Sequence, residues 1–166
     1  MALTKTGICD FGWKARDFAL KGIDGKSYSL ADVRGPKGTL VAFICNHCPY
    51  VKSSIGRIVE EAKALRAIGI GTIAVMSNDP ADYPEDSFDN MKAFAKKHGF
   101  GFPYVIDETQ DVARVYDAQC TPDFYGFDAN LELRYHGRLD ELVQAMTGTP
   151  PQKPMNSIGC SVKWRK

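Results

Sequence analysis

The sequence predicts an α/β fold, in which a central mixed β-sheet is flanked by helices and preceded by an N-terminal β-hairpin. Two observations predict it: apolar runs of strand length alternate with segments of helical spacing, and turn residues separate them. The 166 residues are enough for one domain with a buried core. We expect this domain to span residues 1–146, followed by a proline-rich linker and tail at residues 147–166.

The first half of the chain predicts a hairpin, a strand, a helix and a second strand. Residues 17–29 predict a hairpin that turns at Asp24–Gly25, and residues 39–44 (TLVAFI) predict a strand buried on both faces. From Pro49 the apolar residues follow helical spacing, and residues 72–76 (TIAVM) predict another buried strand. Strand, helix and strand in this order form a right-handed crossover with parallel strands.

The second half predicts smaller elements of both kinds. Asp86 or Ser87 caps a second helix, whose apolar residues include Phe88 and Met91. The remaining elements are, in chain order, a strand at 104–106, a short helix at 112–116, two strands at 124–127 and 131–135 joined by a turn at 128–130, and a final helix at 140–146.

Charge and composition exclude some partners. The net charge is +1, and no lysine or arginine cluster alternates with aromatic residues, so nucleic acid and anionic membranes are poor partner hypotheses. Residues 1–10 lack the basic region and apolar run of a secretory leader, and no stretch is long enough to span a bilayer. We therefore expect a cytoplasmic protein.

Five cysteines are an odd number and too few for a disulfide scaffold in a chain of this size. Cys9, Cys120 and Cys160 are scattered, whereas Cys45 and Cys48 have the spacing C-x-x-C. In a reducing compartment this spacing indicates redox chemistry or metal binding.

The predicted location of the pair favours redox chemistry. The cysteines follow a buried strand directly, and Pro49 suits the first position of the next helix, which places Cys48 at its N-cap. A thiol attacks as the thiolate, and a helix N-terminus lowers a cysteine pKa. Cys45, three residues back, is close enough to form a disulfide with Cys48 if the backbone curls. His47, which we expect to be exposed, and Lys52 would add positive charge beside the thiolate.

Two other interpretations of the pair stay open. The cysteines could be small buried apolar residues, or half of a zinc site completed by His98, His136 or Cys160. The sequence has no second C-x-x-C or H-x-x-x-H pattern to complete such a site. We therefore predict a redox pair that needs no metal and no cofactor, and structural roles for His98 and His136.

Residues 39–52 (TLVAFICNHCPYVK) resemble the active-site segment of thioredoxin-like proteins in the alkyl hydroperoxide reductase and thiol-specific antioxidant superfamily. Residues 15–18 (ARDF) resemble the A-P-D-F opening of these proteins, with arginine in place of proline. Residues 120–124 (CTPDF) resemble the loop that holds a cis-proline beside the cysteine, and residues 135–140 (YHGRLD) resemble the strand end after the hairpin.

The resemblance covers residues 10–146 and implies a thioredoxin-like fold with a cis peptide bond between Thr121 and Pro122. A cis-proline loop of this kind would present its backbone to a substrate cysteine as an added strand. Residues 157–164 (SIGCSVKW) resemble the tail of a subgroup with a CNHCPYV centre.

Alignment on this resemblance places Cys48 in the nucleophile position and Val51 in the usual position of the resolving cysteine, so that Cys45 is an additional cysteine upstream. Ala42 then falls where thioredoxins carry a buried acid. The other register makes Cys45 the attacking thiol and Cys48 the resolving one. We prefer Cys48 as the attacker because of Pro49.

Peroxide reduction is the main competing activity. Peroxiredoxins carry the pattern P-x-x-x-T-x-x-C, in which the threonine helps to hold the peroxide. Counted back from Cys48, the threonine position is Cys45 and the proline position is Val41. Both departures disfavour this activity, although any reactive thiolate can be oxidised.

The predicted function is thiol–disulfide exchange, with Cys48 attacking and Cys45 resolving. The substrates would be protein or small-molecule disulfides and thiols. Supporting positions are, in chain order, His47, Pro49, Lys52, Thr121 and Pro122. One alternative is a thiol peroxidase acting on hydroperoxides, with Cys45, Cys120 or Cys160 as the resolving thiol. Another is a binding module or metal carrier without turnover. For Cys120 and Cys160 we favour packing over chemistry.

Overall fold

The computed structural model describes residues 3–5, 10–148, 158–162 and 164–165. Within these residues, strands β1 to β10 cover Leu3–Lys5, Leu20–Gly22, Ser27–Tyr28, Gly38–Phe43, Ile70–Met76, Tyr104–Ile106, Cys120–Thr121, Asp123–Asp128, Leu133–Gly137 and Ile158–Ser161. Helices α1 to α5 cover Leu30–Val33, Pro49–Ala67, Phe88–His98, Asp111–Val115 and Leu142–Thr147.

The larger of two sheets has seven strands in the order β3-β2-β6-β5-β4-β8-β9. β4, β5 and β6 run parallel, because α2 and α3 carry the chain back between them. β2 and β8 pair antiparallel with β6 and β4. The mixed sheet and the hairpin of β2 and β3, which turns through Gly25 at φ +83°, confirm the prediction.

Alternate residues of β4 belong to two separate cores. Leu40 and Ala42 pack in the core that α2, α3 and α5 complete, while Val41 and Phe43 pack in the core that contains residues of α1 and α4. Side chains alternate across a strand, so a continuous apolar run fits a strand covered on both faces. Helices on both faces of the sheet were predicted, and the structure confirms them.

Local signals explain the two long helices. α2 begins at Pro49 and buries the apolar residues that follow helical spacing, except that Val59 is only partly buried. α3 begins after Ser87, whose hydroxyl accepts the N–H of Asn90 at 3.3 Å, and it ends at Gly99 in the left-handed conformation. Of the two predicted caps, Ser87 is therefore the N-cap.

Several predicted boundaries shift by a few residues. β5 starts at Ile70 rather than at residue 72, and β9 starts at Leu133 rather than at residue 131. The Asp128 carboxylate accepts the N–H groups of Asn130 at 2.9 Å and Glu132 at 3.0 Å, which extends the turn and delays the strand. The final helix begins with a 3-10 turn at Leu139–Glu141.

The sequence does not predict α1, β1, β7 or β10. The three strands form a small antiparallel sheet in the order β1-β10-β7. β10 belongs to the predicted tail, and because residues 149–157 lie outside the described residues, the domain division at residue 146 stays a prediction. No helix in the described ranges has the length and apolar character of a membrane span.

Candidate active site

The two cysteines lie where β4 gives way to α2. Cys48 is the N-cap of α2, with extended backbone angles of φ −65° and ψ 124°, and Pro49 occupies the first helical turn. Cys45 follows the carboxyl end of β4 by two residues. The structure thus confirms the N-cap position that Pro49 predicts. As the N-cap residue, Cys48 lies beside the partial positive charge of the helix N-terminus.

Both sulfurs contact the same residue, Thr121. The Cys48 thiol donates to the Thr121 carbonyl oxygen at 3.3 Å, and the Cys45 sulfur lies 3.3 Å from the Thr121 hydroxyl. The bond between Thr121 and Pro122 is cis, as the resemblance implies. The structure therefore brings four of the predicted site residues together.

The cysteine pair is buried, and Cys45 and Cys48 each have 0% exposure. Burial raises the pKa of Cys45 well above its usual value, and a hydrogen bond to Cys48 and the negative charge of Asp86 add to the rise. Cys45 therefore retains its proton at neutral pH.

A buried carboxylate, Asp86, holds the two residues between the cysteines. Its Oδ1 accepts the backbone N–H groups of Asn46 at 2.7 Å and His47 at 3.2 Å. Its Oδ2 lies 2.5 Å from Nδ1 of His47 and accepts the side-chain amide of Asn78 at 3.1 Å. Four contacts to one carboxylate fix the backbone and the ring of the C-x-x-C loop.

Asn46 ties the loop to two further elements. Its side-chain amide donates to the Glu85 carbonyl at 2.9 Å, and its Oδ1 accepts the hydroxyl of Tyr104 at 2.9 Å. Burial raises the pKa of the Tyr104 phenol well above its usual value, so the phenol keeps its proton and can donate. The loop is thus bonded to the turn before α3 and to β6.

The prediction that His47 is exposed is wrong. Its side chain is 4% exposed, and its ring stacks on Tyr83 with the ring centres 4.1 Å apart. The His47 ring is buried because it binds Asp86, a buried carboxylate in the turn before α3. No local signal in the sequence indicates that this turn lies beside the cysteines. Nε2 of His47 is buried without a hydrogen-bond partner among the described atoms.

The positive charge of Lys52 is paired with the carboxylate of Glu85. Its ammonium lies 3.0 Å from the Glu85 carboxylate in an exposed ion pair. A pair of this kind is screened by solvent, so Lys52 adds little positive charge beside the cysteines.

The other two histidines have structural partners, as predicted. Nε2 of His136 lies 3.0 Å from the Asp123 carboxylate, and its ring stacks on Tyr125 at 4.0 Å. His98 is the last residue of α3, where burial, with help from Lys97, lowers its pKa.

Two further cysteines, Cys120 and Cys160, lie in strands of the small sheet. Cys120 is buried in β7. Cys160 lies in β10, directly opposite Thr121. β10 therefore pairs with Thr121 of the cis-proline loop, which we expected to present its backbone to a substrate strand.

One group of side chains also has ligand types suited to a metal. Ligand atoms of Cys45, His47 and Asp86 lie within 4.8 Å of one another. The 2.5 Å separation of the histidine nitrogen and the carboxylate oxygen is that of a hydrogen bond, so a proton accounts for this contact.

The sheet order, the cysteine pair at the start of α2 and the cis-proline beside it define a thioredoxin-like protein. Residues 11–136 match the AhpC/TSA family, and the chain belongs to this family.

The chain is also similar to individual proteins. A thiol-disulfide oxidoreductase ResA of Geobacillus thermodenitrificans is 28% identical over 126 residues, which are 76% of this chain and 67% of that protein. The crystal structure of an uncharacterized conserved protein from Geobacillus kaustophilus is 40% identical, with a TM-score of 0.94 over 99% of this chain and 97% of that one.

A more distant structure shares the fold alone. It is a secreted disulfide oxidoreductase of Mycobacterium tuberculosis, 16% identical, with a TM-score of 0.59 over 70% of this chain and 79% of that one.

Proposed function

We propose that the protein is a thiol–disulfide oxidoreductase in which Cys48 attacks and Cys45 resolves. The observation that carries the proposal is the meeting of both sulfurs at Thr121, each at 3.3 Å, beside a cis-proline and at the start of a long helix. The named activity of the ResA relative supports the same chemistry.

The first step is attack by the Cys48 thiolate on one sulfur of a substrate disulfide. A bond forms between Cys48 and that sulfur, the substrate's S–S bond breaks, and its other sulfur leaves as a thiolate. The proximity of the N-terminus of α2 stabilises the attacking charge. Cys45 is a poor first nucleophile, because burial raises its pKa and the thiol keeps its proton.

In the second step, Cys45 attacks the Cys48 sulfur of the mixed disulfide. The Cys45–Cys48 bond forms, the bond from Cys48 to the substrate breaks, and the proton of Cys45 ends on the departing substrate sulfur. The two steps together move two electrons from the cysteine pair to the substrate. The reverse sequence oxidises a dithiol substrate.

The experiment is equilibration of the whole protein in glutathione redox buffers, followed by alkylation and mass-spectrometric mapping. We expect a reversible Cys45–Cys48 disulfide with a defined potential. Cys48→Ser should abolish disulfide reduction, whereas Cys45→Ser should still form the mixed disulfide at Cys48 but no Cys45–Cys48 bond. If the Cys45–Cys48 bond never forms at any buffer ratio, the proposed mechanism is wrong.

A second candidate function, hydroperoxide reduction, is favoured by membership of the AhpC/TSA family. Here the Cys48 thiolate would take the terminal oxygen of the hydroperoxide, which breaks the O–O bond, releases the alcohol or water and leaves a sulfenic acid. A second thiol would then condense with the sulfenic acid and release water. Parallel assays with hydrogen peroxide and with oxidised glutathione separate the two. Faster loss of the Cys48 thiol to peroxide at equal concentrations would favour the peroxidase.

A further inference from the structure

The tail strand β10 lies between two other strands of the small sheet. It pairs with β1 on one edge and with β7 on the other, both antiparallel. Its register with β7 sets Cys160 opposite Thr121 and Ser161 opposite Cys120. Directly opposite residues in an antiparallel pair have Cα atoms about 4.5–5.5 Å apart. Cys160 therefore takes the position next to the one residue that both site sulfurs contact.

Contacts after the strand hold this register. The N–H of Val162 donates to the Gln119 carbonyl at 3.1 Å, which continues the pairing beyond Ser161. The N–H of Arg165 donates to the side-chain oxygen of Gln110 at 2.7 Å, and the guanidinium of Arg114 lies 5.3 Å from the centre of the Trp164 ring. These contacts hold the residues that follow β10 in place.

β10 takes the position of an added substrate strand. An extended segment that pairs with β7 would meet Thr121, and through it the two sulfurs. The chain's own strand already makes this pairing, and the residue at the position facing Thr121 is a cysteine. In this arrangement a substrate cysteine is replaced by one that is covalently part of the protein.

We propose that Cys160 is a second resolving thiol for Cys48. In a mixed disulfide between Cys48 and a substrate, the Cys160 thiolate attacks the Cys48 sulfur. The Cys48–Cys160 bond forms and the substrate thiolate leaves, so the protein loses two electrons, as it does when Cys45 resolves. The inference rests on the proposed function, because it needs Cys48 to form the mixed disulfide first.

The test uses the full chain with Cys45→Ser, which removes the first resolving thiol, and oxidised glutathione as the probe. Cys48 forms a mixed disulfide with glutathione, and we expect Cys160 to release it. Intact mass should show loss of the glutathione adduct and of two hydrogens, and peptide mapping should show a Cys48–Cys160 bond. The double variant Cys45→Ser with Cys160→Ser should keep the adduct.

A second double variant identifies the resolving thiol. In Cys45→Ser with Cys120→Ser, the adduct should still disappear, because Cys160 is present. If the adduct persists there and disappears without Cys160, the resolving thiol is Cys120 and the inference is overturned. It is equally overturned if Cys45→Ser alone keeps its adduct.

The wild-type protein provides the measurement if Cys45→Ser does not fold. Acid-quenched protein from glutathione buffers should contain the Cys48–Cys160 bond beside the Cys45–Cys48 bond. Wild type that forms only the Cys45–Cys48 bond contradicts the inference and leaves the proposed function intact. Wild type in which Cys48 never reacts with glutathione contradicts the proposed function itself.

Discussion

Nδ1 of His47 lies 2.5 Å from Oδ2 of Asp86, and this contact joins the C-x-x-C loop to the turn that precedes α3. Both side chains are buried. The same carboxylate also accepts the backbone N–H groups of Asn46 and His47. The conformation of the residues between the cysteines is therefore set by a residue about forty positions further along the chain.

Asp86→Ala should destabilise the protein by about 3–5 kcal/mol, because it leaves a buried histidine and two backbone N–H groups without their acceptor. Urea denaturation of the reduced protein measures the loss. Glu85→Gln is the matched control, since it removes an exposed carboxylate from the neighbouring position and should cost less than about 1 kcal/mol. Equal losses in the two variants would contradict the role assigned to Asp86.

The burial of Cys45 should make the stability of the reduced protein depend on alkaline pH. Its pKa is raised in the folded state, so the folded protein holds a proton that the unfolded chain releases. The contribution is fully present below the unfolded pKa of about 8.5 and is lost as pH rises from there toward the folded value. The loss from this one thiol is about 1.4 kcal/mol per pH unit at most.

Urea denaturation between about pH 7 and pH 9, below the tyrosine pKa of about 10, measures this dependence. The free energy of unfolding of Cys45→Ser should decline less steeply with pH than that of wild type, because the variant lacks the thiol. If the free energy of unfolding declines equally with pH in the two proteins, the Cys45 thiol does not cause the pH dependence.

The sequence predicted the parts of the site that depend on local signals. The apolar run of β4 and the proline at Pro49 are enough to place Cys48 at a helix N-cap. The cis bond at Pro122 followed only from the resemblance, because a threonine–proline pair by itself is usually trans. The spacing of Cys45 and Cys48 predicted the pair but not its depth of burial.

Long-range partners were not predictable in the same way. Asp86 looked like a possible helix cap, since an acid before a helix often is one, and nothing local pairs it with His47. The four residues of β10 have no periodic signal that would distinguish a strand from a tail. Its pairing with β7 depends on main-chain bonds that any sequence can make.

Tyr104→Phe tests the bond between β6 and the loop. It removes the hydroxyl that donates to Asn46 Oδ1 at 2.9 Å and leaves that oxygen buried, which should cost about 1–3 kcal/mol. Tyr28→Phe is the matched control, because the Tyr28 hydroxyl binds Asp24 in an exposed hairpin. Thermal unfolding should show the larger loss in Tyr104→Phe. An equal loss in both would mean that the loop does not depend on this bond.

Access to the sulfurs should depend on how firmly the tail is held. Cys45 and Cys48 are both fully buried, so an alkylating reagent can reach them only through a local opening. β10 covers the edge of β7 that carries Thr121, and Val162, which is 4% exposed, packs directly after it. Displacement of this segment is the opening that we expect to matter.

Val162→Ala should weaken the hold of the tail by about 1–2 kcal/mol, through the lost burial of the side chain. If opening limits the reaction, alkylation of Cys48 in the native protein should speed up by about tenfold for each 1.4 kcal/mol. Val115→Ala makes the same substitution at a valine that is 53% exposed in α4, and it should leave the rate unchanged. Time-resolved mass spectrometry of iodoacetamide-treated protein measures both rates. Equal rates in the two variants would mean that substrates reach Cys48 by a route that the tail does not control.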